Sequence, residues 1–210
     1  MAYTTINKST EHFNTKLYTG ANKSVTGVGF QPDWVWIKER DAGYHSLFDA
    51  LRGTTEVLST NVTGAGHSVS DSLTSFDSDG FTLGADSSNY VGGSSQATVS
   101  WNWKANGAGS TNYNGSINST VSANTTAGFS IVKYTGNGVS GATIGHGLGV
   151  APKIVQIKKT SASDNWSMLN TNVDLQKYLR LDSNSSLISD PLFNNTAPSI
   201  SSLEDPTVGQ

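Results

Sequence analysis

Pro32-Asp33-Trp34-Val35-Trp36-Ile37-Lys38 follows Tyr18-Thr19-Gly20, and the pair returns as Pro152-Lys153-Ile154-Val155-Gln156-Ile157-Lys158 after Tyr134-Thr135-Gly136. The shift is 116 positions at the tyrosines (18 to 134) and 120 at the prolines (32 to 152), so the second occurrence carries about four extra residues between the two motifs. Insertions of that kind fall in loops. Side chains alternate along a strand, which puts Trp34 and Trp36 on one face and Val35 and Ile37 on the other. Both faces are apolar, so this is read as a central strand covered on each side. A duplicated, strand-rich chain of this size is expected to be all-β, with two tandem antiparallel β-sandwich modules at residues 1–104 and 116–210.

Working outward, residues 13–18 read as a first strand, ended at Gly20, and residues 25–30 as its hairpin partner. Asp41-Ala42-Gly43 is a turn, followed by strands at 44–49 and 56–59. Residues 61–71 are small and polar and read as a surface loop. Asp79-Gly80 between Phe76 and Phe81 is a hairpin signal, because glycine accepts a positive φ. Residues 97–103 alternate most regularly, with Ala97, Val99, Trp101 and Trp103 on one face. The Gly, Asn and Ser of residues 105–115 read as a linker with nothing to bury. The second copy then matches the first strand for strand to about Asn184. The tail after residue 194 reads as too rich in proline and serine to replace the strands at 81–84 and 101–103.

Composition narrows the function. Of 210 residues only 14% are charged and 35% hydrophobic, with 22 glycines and an excess of Ser, Thr and Asn, a β-rich profile. A formal net charge of −3 without a basic block gives no footprint for phosphate backbones, so nucleic-acid binding is not expected. There is no cysteine, hence neither disulfide nor thiolate metal site. No run of about 18 apolar residues and no signal-like start is visible, so neither a membrane span nor secretion is expected, and synthesis would begin in a cytoplasm.

The segments Phe13-Asn14-Thr15, Gly29-Phe30-Gln31-Pro32-Asp33-Trp34, Leu47-Phe48-Asp49 with Arg52-Gly53, Ser78-Asp79-Gly80-Phe81-Thr82-Leu83-Gly84 and Trp101-Asn102-Trp103-Lys104-Ala105-Asn106-Gly107 carry a resemblance. So do Ser122-Ala123-Asn124-Thr125-Thr126-Ala127-Gly128-Phe129, Tyr134-Thr135-Gly136-Asn137-Gly138, Gly145-His146-Gly147-Leu148-Gly149, Tyr178-Leu179 and Asn194-Asn195-Thr196-Ala197-Pro198 in the second copy. The chain resembles a repeat family of structural, tail-fibre-like virion proteins of marine bacteriophages of the cyanophage and pelagiphage kind. That resemblance implies a concanavalin A-like (LamG-like) or jelly-roll β-sandwich, and a place in the virion assembled in a bacterial cytoplasm. It covers most of the chain and brings no catalytic or ligand residue with it. The family continues past the last segment with a further hairpin and a closing aromatic strand that this sequence lacks. An exposed sheet edge completed by a neighbouring chain, or a tail folded back in degenerate form, would answer that gap.

The residues nominate no catalytic, cofactor-binding or metal site. Trp34, Trp36, Trp101 and Trp103 are read as core, since each buried ring removes on the order of 150–250 Å² from water. Trp166, beside Asp164-Asn165, is open to either role, core or sugar-stacking platform. Asp71, Asp77 and Asp79 lack the spacing of a calcium loop, and His12, His45, His67 and His146 lack any zinc pattern. Gly145 to Gly149 precedes a strand rather than a helix, so it is read as a turn and not a phosphate cradle. No serine sits in a nucleophile elbow, and paired carboxylates from distant strands are beyond sequence reading. The reading is a non-enzymatic bacteriophage virion protein on the particle exterior, as tail fibre, appendage or capsid decoration, without cofactor or membrane. Its partners would be other capsid or tail proteins, further copies of itself in a symmetric oligomer, and host-surface glycans held multivalently. The alternatives are a carbohydrate-binding receptor module and, more remotely, a polysaccharide depolymerase.

Overall fold

The computed structural model describes residues 6–41, 43–93, 95–189 and 195–206; Ala42 of the expected turn and Asn194 of the last matching segment lie outside them. Nine strands come first: β1 (Phe13–Thr19), β2 (Lys23–Thr26), β3 (Trp34–Glu39), β4 (His45–Asp49), β5 (Gly53–Ser59), β6 (His67–Ser68), β7 (Leu73–Asp77), β8 (Gly80–Leu83) and β9 (Ala97–Trp103). They form an antiparallel sheet in the order β1-β9-β3-β4-β5-β6 and a second in the order β2-β8-β7. Val35, Ile37, Phe48 and Val57 of the first sheet pack on Val25, Leu73, Phe81 and Leu83 of the second, so the two sheets enclose one apolar layer. The polar loop expected at 61–71 holds the short strand β6.

The strand β3 is covered on both faces, as its sequence requires, but the four tryptophans are not in this layer. Trp34 and Trp36 point away from it, and so do Trp101 and Trp103 of β9, all half-buried on the opposite face of the larger sheet. The inward positions of β9 are the polar ones: Thr98, Ser100 and Asn102 are fully buried. The Asn102 amide there donates to the Asn14 carbonyl at 3.0 Å and to Ser100 Oγ at 3.1 Å, which offsets the cost of placing it inside. Strand alternation fixed which residues share a face; it did not fix which face turns inward.

The remaining strands are β10 (Ser110–Asn112), β11 (Ser119–Asn124), β12 (Phe129–Tyr134), β13 (Thr143–Gly145), β14 (Ile154–Ile157), β15 (Ser167–Asn170), β16 (Lys177–Arg180), β17 (Ile188–Ser189) and β18 (Ser202–Glu204). Their ladders run β10-β11-β12, β14-β15-β16-β17 and β13-β18. Leu203 of β18 packs against the cluster of Leu169 and Tyr178 and also against that of Ile117 and Ile144, joining the sheets of this half. Two expectations are corrected. Residues 105–115 are not a solvated tether: Ala105 is buried with its N–H on Asp33 Oδ2 at 2.7 Å, Asn106 donates to Ser122 Oγ at 2.7 Å, and β10 lies in the ladder with β11. The proline- and serine-rich tail supplies β18, which pairs with β13 as β8 pairs with β2. A strand in the position of β9 has no equivalent among the described residues of the second half.

The Asp79-Gly80 hairpin turns as expected, and its glycine is required: a Cβ at Gly80, where φ is +146°, would lie 1.9 Å from the Val25 carbonyl oxygen. Asp79 then reaches across to the loop after β2, accepting the N–H of Gly29 at 2.6 Å and of Gly27 at 3.0 Å. Those two donors, Gly29 first, hold its carboxyl below the ordinary value. A carboxylate depressed in the folded state stabilises above its unfolded pKa of about 4 and loses that contribution as pH falls through the lower folded value. Asp79→Asn is therefore expected to lower the urea midpoint at neutral pH and to flatten the acid limb. Equal loss at neutral pH and well below the folded pKa would contradict this role.

Candidate functional site

The outer face of the larger sheet is where the two halves of the molecule meet. Trp166 is carried there by the turn before β15, its own N–H held by Asp182 Oδ1 at 3.0 Å. Its ring packs on Leu47 and Leu58 with Trp34, Trp36 and Leu181 at the margin, leaving it 2% exposed. The indole N–H donates to the Ser59 carbonyl at 3.0 Å, so the polar atom of the buried ring is satisfied across the seam. Phe129 of β12 meets Trp34 edge-on at 6.0 Å and Trp103 stacked at 6.1 Å. At the other end Lys158 Nζ donates to the carbonyls of Thr63 at 3.1 Å, Asp164 at 3.0 Å and Lys159 at 2.9 Å. Burial, partly countered by Asp164 and Asp182, lowers its pKa. The backbone adds Asp164 N–H to the Thr63 carbonyl at 2.8 Å and Gly66 N–H to the Thr160 carbonyl at 2.9 Å.

Beside this seam lies a cleft of about 580 Å³. Its floor is the first half (Trp34, Leu47, Arg52, Leu58) and its walls are the stretches 131–136 along and after β12 and 156–161 along and after β14. Among the described residues β12 is laddered only to β11 and β14 only to β15, so each has a free edge. Arg52 and Asp49 at the floor form a closed network. Arg52 Nε meets Asp49 Oδ2 at 2.5 Å, Nη1 and Nη2 reach the Glu56 and Leu47 carbonyls, and Asp49 Oδ1 accepts the N–H groups of Leu51 and Arg52. This pair shapes the β4–β5 turn and is not free for chemistry.

The structure places the residues singled out from sequence in separate, mostly structural settings. Trp166 is the seam anchor and its faces are inaccessible to a sugar. Asp71 accepts Ser87 N–H, Asp77 accepts the Ser75 and Thr82 hydroxyls, and Asp79 binds the 27–29 loop, so the three do not converge. The described residues contain no His, Asp and Glu grouping fit to hold a metal ion. His12 contacts Asn124 at 3.1 Å, linking the halves at a second point. His45 is half-buried in β4, where burial lowers its pKa. His146 is buried, its Nδ1 accepting the Leu148 N–H at 3.2 Å while Nε2 meets the Ser199 carbonyl at 3.2 Å, the pattern of a neutral ring; burial lowers its pKa accordingly. It pins the Gly145–Gly149 turn.

One surface feature was not read from sequence. Tyr44, 43% exposed, stacks on Tyr90 with centroids 5.0 Å apart and planes at 21°, and His67 Nε2 meets the Tyr90 hydroxyl at 2.6 Å. The three come from different loops and strands, so no local spacing announces them. Separately, Glu39 at the end of β3 is buried, with Oε1 lacking a hydrogen-bond partner among the described residues and with its pKa raised chiefly by burial. An exposed aromatic stack can hold the apolar face of a ring.

A family model described as a domain of unknown function, DUF7483, matches residues 8–210. No curated protein and no solved structure is significantly similar to the chain.

Trp166→Ala is expected to cost about 3–5 kcal/mol by emptying a filled apolar site and to split one calorimetric transition into two; Trp166→Phe should cost less and keep a single transition. Two transitions already present in the unaltered protein would contradict the seam's role. Arg52→Met leaves the Asp49 carboxylate buried without its cation, with an expected loss of about 3–5 kcal/mol in a denaturant titration, part of it restored in the double variant with Asp49→Asn, which removes the stranded charge and keeps an acceptor for the Leu51 and Arg52 N–H groups.

Proposed function

The chain belongs to the DUF7483 family, and on that premise we propose that it is a non-enzymatic structural protein of a bacteriophage virion, on the particle exterior as tail fibre, appendage or capsid decoration. In this reading the two halves are tandem sandwich modules derived from one duplicated ancestor, and they make assembly contacts with capsid or tail proteins and with further copies of the chain. The observation that carries it is the seam. Trp166, Lys158 and Phe129 join the halves through a buried ring with its N–H on the Ser59 carbonyl, the Lys158 bond to the Thr63 carbonyl and two aromatic contacts, a union that resists relative motion of the modules. A particle exterior needs such stiffness, and the hydrated Ser, Thr and Asn surface suits it. The resemblance of its sequence segments to marine phage virion proteins supports that reading.

A second reading has its own observation. The Tyr44 and Tyr90 stack offers the aromatic surface that a glycan-binding receptor module needs, in place of the inaccessible Trp166. Weak contacts of this kind, repeated over many copies, are enough for host attachment.

Antibody raised against the chain should decorate intact particles of the phage that encodes it, at a copy number matching a symmetry element of capsid or tail. Presence in infected cells with absence from purified particles would refute the placement. Glycan binding lost in Tyr44→Ala with the fold intact would establish the receptor reading instead of simple decoration.

A further inference from the structure

In the first half β9 lies between β1 and β3, pairing with both. The second half repeats the neighbours of that strand: β12 ends at Tyr134 and leads into Thr135-Gly136 as β1 leads into Gly20, and β14 carries the second copy of the β3 motif. Between them lies the cleft described above, bounded by 131–136 and 156–161. The β14 residues that repeat those of β3 show what is missing. Trp36 of β3 packs against Trp101 of β9 at 5.8 Å, whereas its repeat equivalent Gln156 has a buried Nε2 without a hydrogen-bond partner among the described residues. Trp34 is half-buried opposite Trp103, whereas its equivalent Ile154 is 62% exposed. A buried amide donor without an acceptor costs about 1–3 kcal/mol, and free strand edges invite another strand.

The lining also carries a charge bias. Lys133, Lys158, Lys159 and Arg52 stand against Asp49 and Asp164. Arg52 is neutralised by Asp49, which leaves three lysines to one carboxylate. The described chain approaches the cleft at Pro206.

We propose that the gap between β12 and β14 is a docking slot for an extended, acidic β-strand supplied by a partner polypeptide, which takes the place that β9 fills in the first half. The incoming backbone pairs with both free edges, as in strand-addition complexes. A carbonyl or side-chain oxygen of the strand accepts from Gln156 Nε2, and acidic groups at its end meet Lys133 and Lys159. The first half shows the pattern that fits: small polar residues at one parity, as in Thr98, Ser100 and Asn102, and β-branched or aromatic residues at the other. This inference concerns the slot alone and stands whether or not the chain belongs to a virion.

The test uses the full chain and two peptides, each with the sequence of residues 96–103, one ending in two glutamates and the other in two lysines. The glutamate peptide should bind saturably, about fivefold or more tightly than the lysine peptide at low salt, with the difference shrinking as salt screens it. Amide shifts should concentrate at 131–136 and 156–159. Gln156→Leu should weaken binding severalfold without lowering stability, because its amide nitrogen has no partner to lose, and Lys133→Glu with Lys159→Glu should reverse the peptide preference. No saturable binding, or shifts confined to other surfaces, would overturn the proposal. So would binding that appears only after removal of residues 207–210, which would assign the slot to the chain's own tail.

Discussion

A strand that is apolar on both faces must be covered twice, and β3 imposes that demand on the whole molecule. Val35 and Ile37 are met by the smaller sheet of the first half. Trp34 and Trp36, with Trp101, Trp103, Leu47 and Leu58 beside them, would otherwise form a continuous apolar patch of several aromatic rings, larger than the few hundred Å² that a monomer ordinarily leaves open. The second half exists in contact with that patch: Trp166 enters it and Phe129 caps its edge. The order of causes runs from two tryptophans at alternate positions, through a sheet with two buried faces, to a two-part molecule that cannot be a pair of independent beads.

The interior is unexpectedly polar for the same geometric reason. Once the rings of β9 face the seam, alternation sends Thr98, Ser100 and Asn102 inward. Small hydrogen-bonding side chains at those positions tie β9 to β1 through the Asn102 amide and the Asn14 carbonyl. A one-residue slip of β9 would exchange rings for hydroxyls on both faces at once, so the mixed pattern specifies register strongly.

Much of this was legible before any coordinates. The repeat of the Pro-x-x-Val-x-Ile-Lys motif located β3 and β14, the Asp79-Gly80 pair located a hairpin, and the two-sided apolarity of β3 foretold two coverings. What was not legible depended on contacts between distant residues. The inward face of β9 is decided by which neighbour needs the tryptophans, not by its own amphipathicity. Strand β18 is three short residues whose place is set by Leu203 reaching two clusters. The segment 105–115 is held by its backbone, the Ala105 and Asn106 N–H groups donating to the side-chain oxygens of Asp33 and Ser122, whereas composition alone reads it as solvated. Tyr44 and Tyr90 are stacked only because the folded sheets bring their loops together.

The β13–β18 ladder joins residues 143–145 to 202–204, and Leu203 is shared by both apolar clusters of the second half. During synthesis this half therefore cannot close until residue 204 has emerged, while the first half is complete once residue 103 has emerged. For the interval between, a growing chain carries a finished sandwich whose tryptophan face is naked, at a time when neighbouring nascent chains on the same messenger carry the identical face. Long-range closure of this type is slow and exposes the intermediate to wrong partners. Speed of translation between residues 103 and 204 thus becomes a determinant of how much of this protein matures and how much is lost to mutual adhesion.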